Sequence, residues 1–183
     1  DVDGNRILIS HGFTDRGRFD DTWAFALDGG GWAQVATTGA VPIKRCLTRC
    51  LWLPASASTL LFGGQTDSNP FLGDLWTLDV AKGAWAETKP ALLPGPRNLY
   101  GASLGERGKR WYIVGGHTPD GPSTETWTYD LATAVWSLLD AEGGAPPARF
   151  STDAAYAAGK LYIFGGHDGK SEIDDMWALG PGS

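Results

Sequence analysis

Four acidic residues, Asp21, Asp74, Glu125 and Asp175, each stand two positions before a tryptophan. Carboxylates that converge can share general acid–base work in glycoside hydrolysis or hold a hard cation. Both chemistries need at least two of them at one point. Here one acid falls in each segment of about 50 residues, so each is expected to cap a turn by accepting backbone N–H bonds.

Three arginines, Arg45, Arg97 and Arg149, follow the proline-bearing runs VPIK, PGP and PPA at equivalent points. A guanidinium fork suits a carboxylate or a row of carbonyls. Two readings stand: a bond to the loop of a neighbouring segment, or a donor offered to a ligand. Of the three histidines, His117 and His167 are equivalent and His11 is not. A zinc-type site needs a third ligand in register, and none is evident. The cysteines, Cys46 and Cys50, are spaced C-x3-C. In an extended strand they would lie about 13 Å apart at ~3.3 Å per residue, beyond the roughly 7 Å a disulfide spans. They read as unpaired strand residues of a reducing compartment, which makes the cytoplasm the expected location. HExxH, P-loop and G-x-S-x-G signatures are absent, and no cofactor is expected.

The elements that hold these residues repeat. LYIFGGHDGKSEIDDMW (161–177) is an apolar run ending in Gly-Gly, a polar loop, and an acid two residues before tryptophan. WYIVGGHTPDGPSTETW (111–127) and LLFGGQTDSNPFLGDLW (60–76) have the same order, and ILISHGFTDRGRFDDTW (7–23) is a degraded copy. The second glycine recurs at Gly12, Gly64, Gly116 and Gly166, in steps of 52, 52 and 50. Nine residues after the first three loop tryptophans stands a second one, at Trp32, Trp85 and Trp136. Each complete period reads as four short strands with turns such as ERGK and AAGK between them. No helical period of 3.6 is sustained. The chain is read as all-β.

Four strands per 50-residue unit, Gly-Gly, acid-x-Trp and the second Trp together resemble the kelch repeat over essentially the whole chain. The resemblance implies a kelch-type β-propeller of about four visible blades, with repeats near 1–44, 45–96, 97–148 and 149–183. It departs from the pattern at Ser10-His11-Gly12, where the first repeat should carry Gly-Gly. There the blade centre is expected to be looser, or His11 to reach the channel mouth. Counting three, four, four and three strands leaves the first and last blades incomplete. The expectation is a piece of a propeller of six or seven blades, completed by remaining blades in cis or by strands of other chains.

Net charge is -6, which offers no broad field for phosphate backbones. No apolar run approaches the ~18–20 residues of a membrane span. Asp1 is not an initiator residue, so a missing leader says little. Neither nucleic acid nor membrane is an expected partner. In an up-down-up-down blade the segment before the first strand and the loop between the second and third share one end. That end collects Arg16, Arg18, Arg45, Arg97, His117, Arg149, His167, Asp168 and Lys170 as the candidate partner-binding set. The resemblance implies a protein- or peptide-binding scaffold, since mouth-facing arginines and polar loops form the site in peptide-binding kelch domains. The other class is an enzyme or sugar-binding propeller with residues in blades beyond this sequence. Kelch-like enzymes include a copper oxidase and iron-dependent plant specifier proteins. Neither a Tyr/His/Cys constellation nor a Glu-x3-Asp-x3-His run is found here.

Overall fold

A computed structural model describes residues 2–3, 5–140 and 144–180. The chain forms two compact units, Asp1–Lys89 and Pro90–Ser183. The first holds two sheets. One is built from β1 (Val2–Asp3), β2 (Arg6–Thr14), β3 (Gly17–Ala26) and β4 (Gly31–Gln34). The other contains β5 (Arg49–Leu53), β6 (Ser58–Gly64), β7 (Leu72–Asp79) and β8 (Ala84–Thr88). The second unit opens with β9 (Gly101–Gly105), β10 (Arg110–Val114) and a small hairpin of β11 (His117–Thr118) and β12 (Gly121–Pro122). It continues through β13 (Thr126–Asp130), β14 (Val135–Leu138), β15 (Asp153–Ala157), β16 (Lys160–His167) and β17 (Glu172–Leu179).

Every blade sheet follows chain order with antiparallel neighbours: β1-β2-β3-β4, β5-β6-β7-β8, β9-β10-β13-β14 and β15-β16-β17. Short connections and aromatic or branched strand residues give this meander directly. The first sheet keeps a short fourth member, since Val2 and Asp3 pair with Ile7 and Arg6. All described residues lie in strands, turns or loops, as kelch-type blades require.

The Gly-Gly pair is a bulge at the end of the second strand. Pairing slips between Phe62 and Gly64, and again between Phe164 and Gly166. The first glycine of the pair is left-handed, with φ of 63° at Gly63, 61° at Gly115 and 60° at Gly165. A Cβ on Gly115 would stand 2.4 Å from the Arg149 carbonyl oxygen, so both conformation and space call for glycine there. His11 adopts the same backbone state at φ 60°. Its ring meets Trp85 edge-on at 5.8 Å.

The blades of each unit pack face to face. In the first unit Leu8 and Ala24 of one sheet bury Trp52, Leu61, Leu78 and Trp85 of the other. In the second, Tyr112 and Val114 meet Leu161 and Ile163. Backbone bonds join the faces too: Gly12 N–H donates to the Arg45 carbonyl at 2.9 Å, and Gly116 N–H to that of Arg149 at 2.8 Å. Arg45 and Arg149 are thus each held by the preceding blade through the main chain.

The C-x3-C reading assumed one extended strand. Instead Leu47 is left-handed at φ 56° and β5 begins only at Arg49, so Cys46 lies before the strand. Both thiols are free. Burial pushes the Cys50 thiol up to about 11.

Candidate functional site

The opening arginines are withdrawn into the blades: Arg45, Arg97 and Arg149 are 0%, 1% and 1% exposed. The residue two positions on, Leu47, Leu99 or Ser151, is left-handed each time, which turns the chain sharply as it approaches the first strand. Each fork then makes one recurring set of bonds. Nε donates to the carbonyl two residues back, at Ile43, Gly95 and Pro147. Nη1 donates to the first glycine of the pair, at Gly63, Gly115 and Gly165, all at 3.0 Å. The remaining donors take the acid of the acid-x-Trp motif: Asp74, Glu125 and Asp175.

Those acids also accept the indole N–H of the following tryptophan, Trp76, Trp127 or Trp177, at 2.6–2.9 Å. Asp21, in the repeat without an opening arginine, accepts from Trp23 at 2.8 Å. The expected turn cap is therefore corrected: the acids bind side-chain donors, and the arginine's partner lies in its own blade. Arg149 holds the Asp175 carboxyl down at about 2. Burial opposes ionisation at Asp74 and Glu125, but the arginine and indole bonds outweigh it and keep both below their usual range. The donors of this arginine set are thus spent inside the blade.

Other side chains occupy the surface of that end. In the second unit the residue after each Gly-Gly pairs with the residue after each opening arginine, His117 with Asn98 and His167 with Phe150. Phe150 stands between the two imidazoles, 4.9 Å from His117 and 5.2 Å from His167, at shallow angles. All three rings are half-buried. The His167 Nδ1 accepts the Gly169 N–H at 2.9 Å, which fixes the tautomer. Beside it Asp168 accepts the backbone N–H groups of Ser171 and Lys170, both at 2.7 Å. Those bonds lower its carboxyl below the usual range. Lys170 is exposed.

In the first unit Arg16 is exposed, whereas Arg18 pairs with Asp67 and points Nε at the Cys46 sulfur. Phe13, in the position of His117 and His167, is 64% exposed. Of the single set collected from the sequence, the structure brings His117 and His167 together around Phe150, with Asp168 and Lys170 following His167. Sequence reasoning missed Phe150 and Phe13; the signal was an aromatic at a position where the other repeats carry polar residues. Among the described residues no three of His, Cys, Asp and Glu gather as metal ligands. No helix among them is long and apolar enough to cross a membrane.

The sequence shares 30% identity over 127 residues with the leucine-zipper-like transcriptional regulator 1 homolog of Drosophila melanogaster, covering 65% of this chain and 13% of that protein. Kelch domain-containing protein 1 of Mus musculus is 41% identical over 56 residues, 31% of this chain and 14% of the relative. The N-(sulfonatooxy)prop-2-enimidothioate sulfolyase of Thlaspi arvense is 31% identical over 102 residues, 53% and 29% respectively. The chain thus spans less than a third of the length of each of these relatives. A family model described as the KLHDC2/KLHL20/DRC7 Kelch-repeats domain matches residues 2–183. With that match over nearly the whole chain, and with glycine bulges and acid–tryptophan pairs recurring in antiparallel sheets, the chain belongs to the Kelch-repeat family.

Proposed function

We propose that this chain is a protein-interaction module that takes a peptide or protein partner on the loop-bearing end of its blades. One observation carries the reading. The clamp of arginine, glycine carbonyl and acid is the same in three repeats, while the residues beside it change. Gln65, His117 and His167 follow Gly-Gly, Phe13 stands at that position in the degraded repeat, and of the residues after the arginine Cys46 and Asn98 are buried whereas Phe150 reaches the surface. A constant frame that presents changing side chains is what selective recognition needs. Aromatic and imidazole rings beside a free lysine supply stacking surface and charge, the chemistry of a binding hot spot. Arg16 and Arg18 are the polar members of the loop end in the first unit, and His117, His167, Asp168 and Lys170 those in the second. The free thiols of Cys46 and Cys50 suit a cytoplasmic setting.

The test is a displayed random-peptide library selected on the purified chain. Binders should lose affinity with Phe150→Ala, Lys170→Glu or Arg16→Glu and tolerate Arg107→Glu, which lies in the turn at the other end of β9 and β10. Binders insensitive to the first three substitutions and abolished by the fourth would put recognition on the wrong end.

A further inference from the structure

We propose that the loop end of the third repeat holds a cation pocket beside Glu125 that takes a lysine side chain of the partner. Within the loop-end reading on which it rests, the pocket fixes one feature of that partner. In the second and fourth repeats the clamp acid is an aspartate, and the arginine fork occupies both of its oxygens. Arg45 Nη1 and Nη2 bond Asp74 Oδ1 and Oδ2, and Arg149 does the same to Asp175. The third repeat carries glutamate at that point. With one methylene more, its side chain meets the fork through Oε2 alone, which accepts both Arg97 Nη2 and the Trp127 indole. Oε1 takes no bond from any described residue. The Glu125 side chain is also the most exposed of the three clamp acids, at 40%.

Glu125 forms part of the wall of a cavity of about 390 Å³, with Asp120, Thr124 and the prolines Pro96, Pro119 and Pro122. These walls all belong to the third repeat, whose sheet has its four strands β9-β10-β13-β14. One wall is the β11–β12 hairpin, and it is set before any ligand arrives. Thr118 Oγ1 donates to the Gly121 carbonyl at 2.9 Å and accepts the Asp120 N–H at 3.2 Å. Ser123 is bound through its main chain to Gly116 on one side and Arg149 on the other.

The charged groups of the lining are Arg97, Asp120 and Glu125. Arg97 is buried and spends its donors on Gly95, Gly115 and Glu125. Two carboxylates against one committed guanidinium leave the pocket negative, with Oε1 and the exposed Asp120 as open acceptors. An acidic ligand would meet like charge. A lysine fits both halves of the lining: its methylene stem lies along the proline rings, and its ammonium reaches the carboxylates.

The probe is the acetylated, amidated pentapeptide GGKGG, titrated onto the isotope-labelled chain and followed by amide resonances. Those of residues 118–125 should shift saturably. The peptide with norleucine for lysine, which keeps the stem and drops the charge, should bind at least about tenfold more weakly. Glu125→Asp should weaken the lysine peptide comparably with no change in net charge, because the aspartate gives both oxygens to the fork. Unchanged β9 resonances would show that this variant is folded. Asp120→Asn, at an exposed position outside the clamp, should weaken binding about threefold, and Phe150→Ala should leave it unchanged. Equal binding by the norleucine peptide, undiminished binding in Glu125→Asp, or shifts confined to other segments would each overturn the proposal. So would calcium chloride that reproduces the shifts and displaces the peptide, which would make the pocket a metal site. The titration needs no selected binder, so its failure would leave the loop-end reading standing, and the peptide library tests that reading separately.

Discussion

Arg45 gives Nη1 and Nη2 to the two oxygens of Asp74 at 2.6 and 2.7 Å, although 29 positions separate them in the chain. The pair ties the segment before the first strand to the start of the third, and the Gly63 carbonyl ties in the end of the second. A buried guanidinium is costly to strand without its acceptor, and truncating one partner of such a pair typically costs about 3–5 kcal/mol. Arg97→Ala and Arg149→Ala should each lose stability in that range in urea unfolding. Arg97→Lys should recover only part, because an ammonium cannot reproduce the fork. Wild-type stability in the lysine variant would show that charge alone suffices.

The spacing-nine tryptophans should not behave alike. Trp85 and Trp136 are buried and Trp32 is 53% exposed. Trp85→Ala and Trp136→Ala should each cost about 3–5 kcal/mol. Trp32→Ala should cost less than about 1.5 kcal/mol, because most of its area is already in water. Equal denaturant midpoints for the three variants would contradict the burial.

That contrast marks what could be read from the sequence. The strands, the glycine bulges and the acid-x-Trp pairs are local patterns, and they fold as their spacing indicates. Burial of a fourth-strand tryptophan depends on the next sheet over. Trp85 is covered by Leu8 and Ala24, while Trp32 has no preceding blade among the described residues. The direction of the arginines was equally hidden. It depends on left-handed backbone at Leu47, Leu99 and Ser151, and neither leucine nor serine announces that conformation. Hence the sequence leaves both readings of the three arginines open, an internal bond and a donor for a ligand. The stack of His117, Phe150 and His167 joins residues of two repeats, a juxtaposition that no single-repeat pattern contains.

His11 should give stability a titration step. Burial, with help from Arg45, lowers its imidazole to about 4, although the Pro42 carbonyl, Asp20 and Asp21 favour the charged form. A depressed folded value means the unfolded chain takes up the proton first. Its contribution is therefore complete above about 6.5 and is lost as pH falls toward about 4. His11→Gly should flatten the pH dependence of the urea midpoint in that window. It should also relieve a left-handed residue that costs on the order of 1–2 kcal/mol, against the lost contact with Trp85. An unchanged slope would exclude His11 as the titrating group.

Asp175 acts lower on the scale. Arg149 depresses its carboxyl to about 2, so the pair's stabilisation is present above about 4 and disappears between there and about 2. Acid unfolding followed by Trp177 fluorescence should shift upward in Asp175→Asn. Coincident acid transitions in the two proteins would show that the pair does not control this step.

The carbonyls of Arg45 and Arg149 receive the Gly12 and Gly116 N–H groups of the blade before, while their side chains fasten the blade they open. One residue therefore serves two sheets at once, and neither sheet can fray at that point without releasing the other. Within a unit the blades should melt as a single cooperative step, with amide protection at Gly12 and Gly116 rising and falling together with that of the following blade's strands.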